Sequence, residues 1–247
     1  MTDEKSAVLI LGATGGIGSE CCRAFARAGH TVLIHYHQNK DRAAELEREV
    51  LSSGGEAASF QADLSSIGAI ERMFHLVREN HRQVEHLVNC VGAILRPAGF
   101  QEISDENWDN TFAVNLKAIV SCVRCALPLL RNTRNPTITN IGSIFGTRTA
   151  APAVLAYAAA KAGVSSITQS LARELGPLIR VNCVLPGIID TKMSYSSPEQ
   201  VIRNYIDRSV LKRIGTPYEI AEAIFFLTRA TYMTGQCIVL DGGFSIA

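Results

Sequence analysis

The chain has 247 residues and a formal net charge of +1, with hydrophobic residues at 47% and charged residues at 19%. That balance is globular rather than disordered, and it gives no electrostatic case for nucleic acid or an anionic membrane surface as partner. No low-complexity linker interrupts the chain, so a single domain over residues 1–247 is expected.

Ala7-Val-Leu-Ile-Leu11 reads as a buried strand. It is too short to span a membrane and runs into glycines, so neither a signal peptide nor an anchor is expected. Residues 16–28 read as a helix and Thr31-Val-Leu-Ile-His35 as a second strand. Residues 40–53 form a charged helix, with Ala43, Leu46 and Val50 at helical spacing. A third strand covers 57–62, and a helix over 65–80 puts Ile70, Met73, Phe74 and Val77 on one face. Residues 85–91 are a fourth strand; a loop with Pro97 leads to a long helix over 107–130. The fifth strand, 137–141, precedes a helix carrying Tyr157, and the sixth covers 179–185. Helices over 198–207 and 217–229 and a final strand, Cys237-Ile-Val-Leu240, complete the series. Alternating strands and helices, with strands apolar throughout, predict an α/β fold. The expected form is a doubly wound, Rossmann-type, seven-stranded parallel sheet with helices on both faces. Ligand then binds at the carboxyl ends of the strands, where strand order reverses.

Seven cysteines (21, 22, 90, 122, 125, 183 and 237) lie mostly in apolar runs. This odd, scattered set suits reduced thiols and a cytoplasmic protein. Cys122-Val-Arg-Cys125 has a CxxC spacing but no second pair or histidine cluster, so no metal is expected.

Gly12-Ala13-Thr14-Gly15-Gly16-Ile17-Gly18 follows the first strand and opens the first helix. Glycines there let backbone approach a pyrophosphate, and a helix N-terminus offers free N–H groups. The spacing reads either as GxxxGxG or as GxxGxxG, and it points to a dinucleotide held by Gly12, Thr14, Gly15, Gly16, Ile17 and Gly18. The second strand ends His35-Tyr36-His37-Gln38-Asn39-Lys40, with no carboxylate before Asp41. An acid would hold the ribose 2′-OH of NAD. Its absence, with His37, Gln38 and Asn39 as donors, favours NADP(H) over NAD(H).

Tyr157-Ala-Ala-Ala-Lys161 is a helical run that sends both side chains from one face, roughly 6 Å apart along the axis. A lysine near the phenol favours phenolate, so a group with a pKa of about 10 becomes an acid or base near neutral pH. The alternative is an ordinary pair on a solvated helix face.

Taken together, these motifs resemble the short-chain dehydrogenase/reductase family over nearly the whole chain. The resemblance rests on the glycine turn, Asp63-Leu64, Asn89-Cys-Val-Gly92, Asn115, Ser143, Tyr157/Lys161, Pro186-Gly187 with Thr191, and Asp241-Gly242-Gly243. It implies that Tyr157 is the general acid/base, that Lys161 lowers its pKa and bonds the nicotinamide ribose, that Ser143 polarises the substrate carbonyl, and that Asn115 holds a relay water. It further implies that Asp63 and Leu64 meet the adenine end, that Asn89 and Gly92 line the cofactor groove, and that Pro186, Gly187, Ile188 and Thr191 lie near the carboxamide and pyrophosphate. Cys90-Val91 departs from the family's Asn-Ala, which removes a hydrogen bond expected to stabilise the central sheet. Gly15 stands where NADP-using relatives often carry a cation.

Among members, the chain is most similar to 3-oxoacyl-[acyl-carrier-protein] reductases, through Leu211-Lys-Arg-Ile-Gly215 and Tyr157-Ala-Ala-Ala-Lys-Ala-Gly163. That implies reduction of a ketone to a secondary alcohol, most simply on a 3-oxoacyl thioester borne by acyl carrier protein. Arg124, Arg131 and Arg134 are candidate contacts for an acidic carrier, whereas Gly176-Pro177-Leu178 replaces a second basic position. A segment over 188–208 is expected to be a lid, with Met193, Tyr195 and Tyr205 over an apolar substrate. A free small ketone or alcohol remains open as substrate, as does a non-catalytic dinucleotide sensor or partner-binding protein. Relatives imply a homotetramer or dimer.

Overall fold

The computed structural model describes residues 6–247; the polar N-terminal stretch, 1–5, lies outside the described residues. In chain order the elements are β1 (Ala7–Leu11), α1 (Gly16–Arg27), β2 (Thr31–Tyr36), α2 (Lys40–Ser52), β3 (Glu56–Gln61), α3 (Ile67–Asn80), β4 (His86–Asn89), α4 (Asp105–Phe112), a π-helical turn (Ala113–Lys117), α5 (Ala118–Leu130), β5 (Thr137–Ile141), α6 (Leu155–Leu175), β6 (Arg180–Pro186), α7 (Lys192–Tyr195), α8 (Glu199–Arg208), α9 (Pro217–Arg229), β7 (Cys237–Leu240) and a closing 3₁₀ turn (Phe244–Ile246).

The seven strands form one parallel sheet in the order β3-β2-β1-β4-β5-β6-β7. Order reverses at β1, which pairs β2 on one side (Ile10 opposite Ile34) and β4 on the other (Ile10 opposite Val88). The apolar strand runs are explained by two cores, one on each face. Leu9, Leu11, Leu33 and Leu87 pack on one side, among residues of α3 and α5. Val8, Ile10, Val32, Ile34 and Val88 pack on the other, among residues of α1 and α9. Successive strand residues point to opposite faces, so a strand buried on both must be apolar at every position.

The long helix departs from its expected form. It spans Asp105–Leu130, but a π-turn interrupts it, where the Ala118 N–H reaches back to the Ala113 carbonyl. This widened turn carries Asn115 inward. By length and composition the same rod is apolar enough to cross a membrane, yet half of its most apolar window is buried inside the fold. β4 is shorter than expected, ending at Asn89, and α7 is an additional short helix.

Candidate active site

The cofactor end is built mostly from backbone. Gly12 has φ +74°, and a Cβ there would lie 3.0 Å from the Cys90 carbonyl oxygen. A Cβ on Gly18 would strike the Gly12 carbonyl oxygen, so the turn closes only without side chains at these points. Gly15 N–H donates to the Gly12 carbonyl (3.1 Å). No side chain caps α1, and its first turn carries no acid. Its N–H groups and positive dipole end therefore face outward past the exposed Gly15 and Gly16, ready for an anion. A Cβ on Gly16 would meet Thr191 Cγ2 at 2.7 Å, which brings the start of the expected lid against the glycine turn. Pro186 ends β6, Gly187 lies against Tyr205 and Asp241, and Ile188 lines a separate cavity of about 450 Å³ toward β7. Such an open, uncapped cradle fits a pyrophosphate.

At the ribose end, Asp63 and His37 come together, with His37 Nε2 3.9 Å from Asp63 Oδ2. The Ser65 hydroxyl and N–H bond Asp63 Oδ1 (2.7 and 2.9 Å) and hold its carboxyl below the usual range. Gln38 and Lys40 are exposed. The Asn39 side-chain oxygen Oδ1 is committed to capping α2, accepting from Arg42 N–H (3.2 Å), which leaves its amide NH₂ as the donor. Arg42 itself pairs with Glu45 and Glu49 and does not serve the strand end.

Three expected cofactor residues face elsewhere with their side chains. The Leu64 side chain is buried in one core, and that of Ile17 packs, partly buried, against the other. Asn89 is fully buried; its amide donates to Asn140 Oδ1 (2.6 Å), and Asn140 donates to Thr168 Oγ1 (2.9 Å). This chain ties β4, β5 and α6 together. The central sheet thus has a polar tie despite Cys90, whose sulfur sits 4.0 Å from Cys21 Sγ.

The catalytic end is built from buried side chains. Tyr157 and Lys161 leave one face of α6 and are 9% and 2% exposed, which rules out a solvated pair. Lys161 Nζ lies 5.8 Å from the Tyr157 ring centroid and donates to the carbonyls of Ile141 (2.7 Å) and Val91 (3.1 Å). Burial lowers the lysine pKa to about 8. Burial also raises the Tyr157 pKa to about 12, and a hydrogen bond with Ser143 pulls the other way. The expected depression by Lys161 is therefore absent here: the ammonium turns to two carbonyls, and desolvation of the phenol dominates. Ser143, just past β5, accepts from the Phe145 N–H at its Oγ (3.1 Å). Asn115 is fully buried. Its amide donates to the Ala93 and Thr111 carbonyls (both 2.9 Å), and its Oδ1 accepts from the Ala93 N–H (3.0 Å). Gly92 makes room for both partners, since a Cβ there would lie 3.0 Å from Lys161 Nζ and 3.2 Å from Asn115 Oδ1.

Beside this group opens a cleft of about 680 Å³ between the 92–97 loop, Phe145, residues 151–154 and the 193–201 segment. None of its lining residues is charged. Met193 and Val201 line it, but Tyr195 and Tyr205 do not. Tyr195 bonds Asp190 at the surface (2.8 Å), while Tyr205 stacks on Phe244 and donates to the Asp241 carbonyl (2.6 Å). Phe145 escaped the sequence reading, its only signal being a position two residues after Ser143. The basic group is also misplaced relative to expectation. Arg131 and Arg134 lie between α5 and the start of β5, at the edge of the parallel sheet opposite the strand ends that carry the site.

A family model described as enoyl-(acyl carrier protein) reductase matches residues 12–245. The chain belongs to the short-chain dehydrogenase/reductase family and is an oxidoreductase of the ketoreductase kind. It is 34% identical over 246 residues to the 3-oxoacyl-[acyl-carrier-protein] reductase FabG of Thermotoga maritima, covering 98% of this chain and 99% of that protein. It is 32% identical over 242 residues to the FabG of Staphylococcus epidermidis, covering 97% and 98%. Among solved structures, a dehydrogenase/reductase from Sinorhizobium meliloti superposes with a TM-score of 0.91 at 29% identity, covering 98% of this chain and 95% of that one. A short-chain dehydrogenase from Burkholderia cenocepacia, solved in complex with NADP, gives 0.91 at 28% identity, covering 98% of each chain.

Proposed function

We propose that this protein is a cytoplasmic, single-domain, NADP(H)-dependent reductase that converts the ketone of a 3-oxoacyl thioester to a secondary alcohol. The observation that carries the reading is Tyr157 and Lys161 buried on one face of α6, with the buried Ser143 near enough to the phenol to pull its pKa down. The bound dinucleotide supplies the hydride. Hydride arriving at a carbonyl carbon builds negative charge on the oxygen. Ser143 Oγ–H and Tyr157 O–H donate to that oxygen, and Tyr157 gives up its proton to it. A phenol kept neutral by burial is suited to arrive at that step protonated. Lys161, reaching past Gly92 between the ends of β4 and β5, holds the proton path and the ribose side of the cofactor. Asn115 fixes the 92–93 backbone that floors the site. NADP(H) is favoured over NAD(H) by the absence of an acid at the end of β2 and by the donors His37, Gln38 and Asn39.

The uncharged cleft supports an apolar acyl chain, since an unpaired charge there would lose water without gaining a partner. The named relatives support a carrier-borne thioester. A free small ketone is the second reading, favoured by Arg131 and Arg134 lying away from the cleft of their own chain. Assembly as a homotetramer or dimer agrees with the exposed Ile246 and Phe226. The test is NADPH oxidation with acetoacetyl thioester, a crotonyl thioester and a panel of free ketones. The proposal expects acetoacetyl thioester to be preferred. Turnover confined to free ketones would transfer it to the second reading, and reduction of the crotonyl double bond alone would overturn it.

A further inference from the structure

His35 ends an otherwise apolar strand run, yet it is buried, with 3% exposure. It touches no part of the catalytic group. Its Nδ1 accepts from the Gly12 N–H (3.0 Å) and its Nε2 bonds the Ala62 carbonyl (3.1 Å). Its own backbone carbonyl accepts from the Ala13 N–H (3.0 Å). One residue thus holds two consecutive N–H groups of the glycine turn and fastens them to the end of β3. The partners also fix the tautomer. An amide N–H only donates and a carbonyl only accepts, so Nδ1 carries the lone pair and Nε2 the proton. Burial keeps this ring neutral.

We propose that His35 is a positioning residue for the dinucleotide: its ring sets the direction of the Gly12 turn and hence the aim of the α1 N-terminus at the pyrophosphate. Gly12 has φ +74°, a conformation that only glycine adopts freely, and glycine gives up that definition most easily when a partner is lost. Within the turn itself the Gly15 N–H donates to the Gly12 carbonyl (3.1 Å) and the Ser19 hydroxyl to the Ala13 carbonyl (3.1 Å). The ring is the bond that crosses from the turn to β3. The inference rests on the dinucleotide reading above.

Two substitutions separate the ring's two bonds. In His35→Asn the side-chain oxygen can stand where Nδ1 stands and keep the Gly12 bond. In His35→Gln the longer amide reaches the Nε2 position, keeping the Ala62 bond and leaving the Gly12 N–H buried and unpaired. The expected result is that H35Q raises the KM and Kd for NADPH roughly tenfold, while H35N stays within about threefold of wild type. kcat at saturating NADPH should change less than about twofold in both, because the group around Tyr157 is untouched. A residue that merely filled space would lower the unfolding midpoint and the affinity in parallel for both variants. Equal affinity in H35N and H35Q overturns the inference while leaving the dinucleotide reading in place. A wild-type protein that binds neither NADPH nor NADH overturns that reading and the inference with it. A measurement on the unaltered protein needs no variant to fold: the ring nitrogen shifts of His35 should report the Nε2–H tautomer at pH 6 and pH 8. A ring protonated at Nδ1 at either pH overturns the proposal.

Discussion

The two halves of the site are made of different material. Around Gly12–Gly18 it is backbone, and specificity is written in side chains that are missing: a Cβ at Gly12, Gly16 or Gly18 would meet Cys90, Thr191 or the turn itself. Around Tyr157 it is side chain, and specificity is written in what is buried: a phenol, an ammonium, a hydroxyl and an amide, all nine-tenths or more out of solvent. A backbone site tolerates exposure because N–H groups and a helix dipole cannot be titrated away. A proton-transfer site needs burial, since low dielectric is what shifts its acids and bases. Damage to the two halves should therefore look different, one reading out in affinity and the other in turnover.

The sharpest break in that comparison is Ser143→Ala. It removes a donor to the carbonyl oxygen and should lower kcat by roughly two to three orders of magnitude while leaving the NADPH Kd near wild type. Stopped-flow turnover beside a binding titration separates the two; a matching loss of affinity would contradict the division. Gly18→Ala is the mirror experiment. Its methyl must push the Gly12 carbonyl aside, so NADPH affinity should fall by about tenfold or more, with stability lower by about 1–3 kcal/mol. A variant that kept its affinity and lost only kcat would mean the turn does not hold the cofactor.

A smaller effect comes from acid. Burial holds His35 and His86 at pKa values of about 4, against about 6.5 unfolded. Between those values the unfolded chain binds more protons, so stability is fully present above about pH 6.5 and is lost as pH falls toward 4. Each ring accounts for up to about 3 kcal/mol. Denaturant unfolding at pH 7, 5.5 and 4.5 should show the decline, and H35N should make it shallower. A flat profile would mean that these rings are protonated in the fold.

The same division governs what could be read from the sequence. The glycine turn was legible because missing side chains are visible as letters, and the sheet was legible because strands buried on both faces are apolar throughout. Tyr157, Lys161 and Ser143 were legible as residues in order along the chain. Their surroundings were not. A π-turn that swings Asn115 inward depends on an i−5 hydrogen bond that no local propensity announces. Asn89 was read as a groove residue, yet a partner 51 positions away draws its amide into the sheet. His35 stood in plain view as a polar letter ending an apolar strand, but its role depends on Gly12 and Ala62, which only the parallel register brings together. Arg131 and Arg134 were read as contacts for a carrier from charge alone, although they precede β5 and so fall at the end of the sheet away from the carboxyl ends of the strands.

The most direct measurement is turnover and NADPH affinity of Tyr157→Phe, determined side by side with acetoacetyl thioester as substrate. The substitution removes one buried hydroxyl and leaves the ring, α6 and the glycine turn in place. The expected result is a kcat lower by at least about a thousandfold, with an NADPH Kd within about twofold of wild type. Wild-type turnover in that variant would contradict the assignment of Tyr157 as the proton donor.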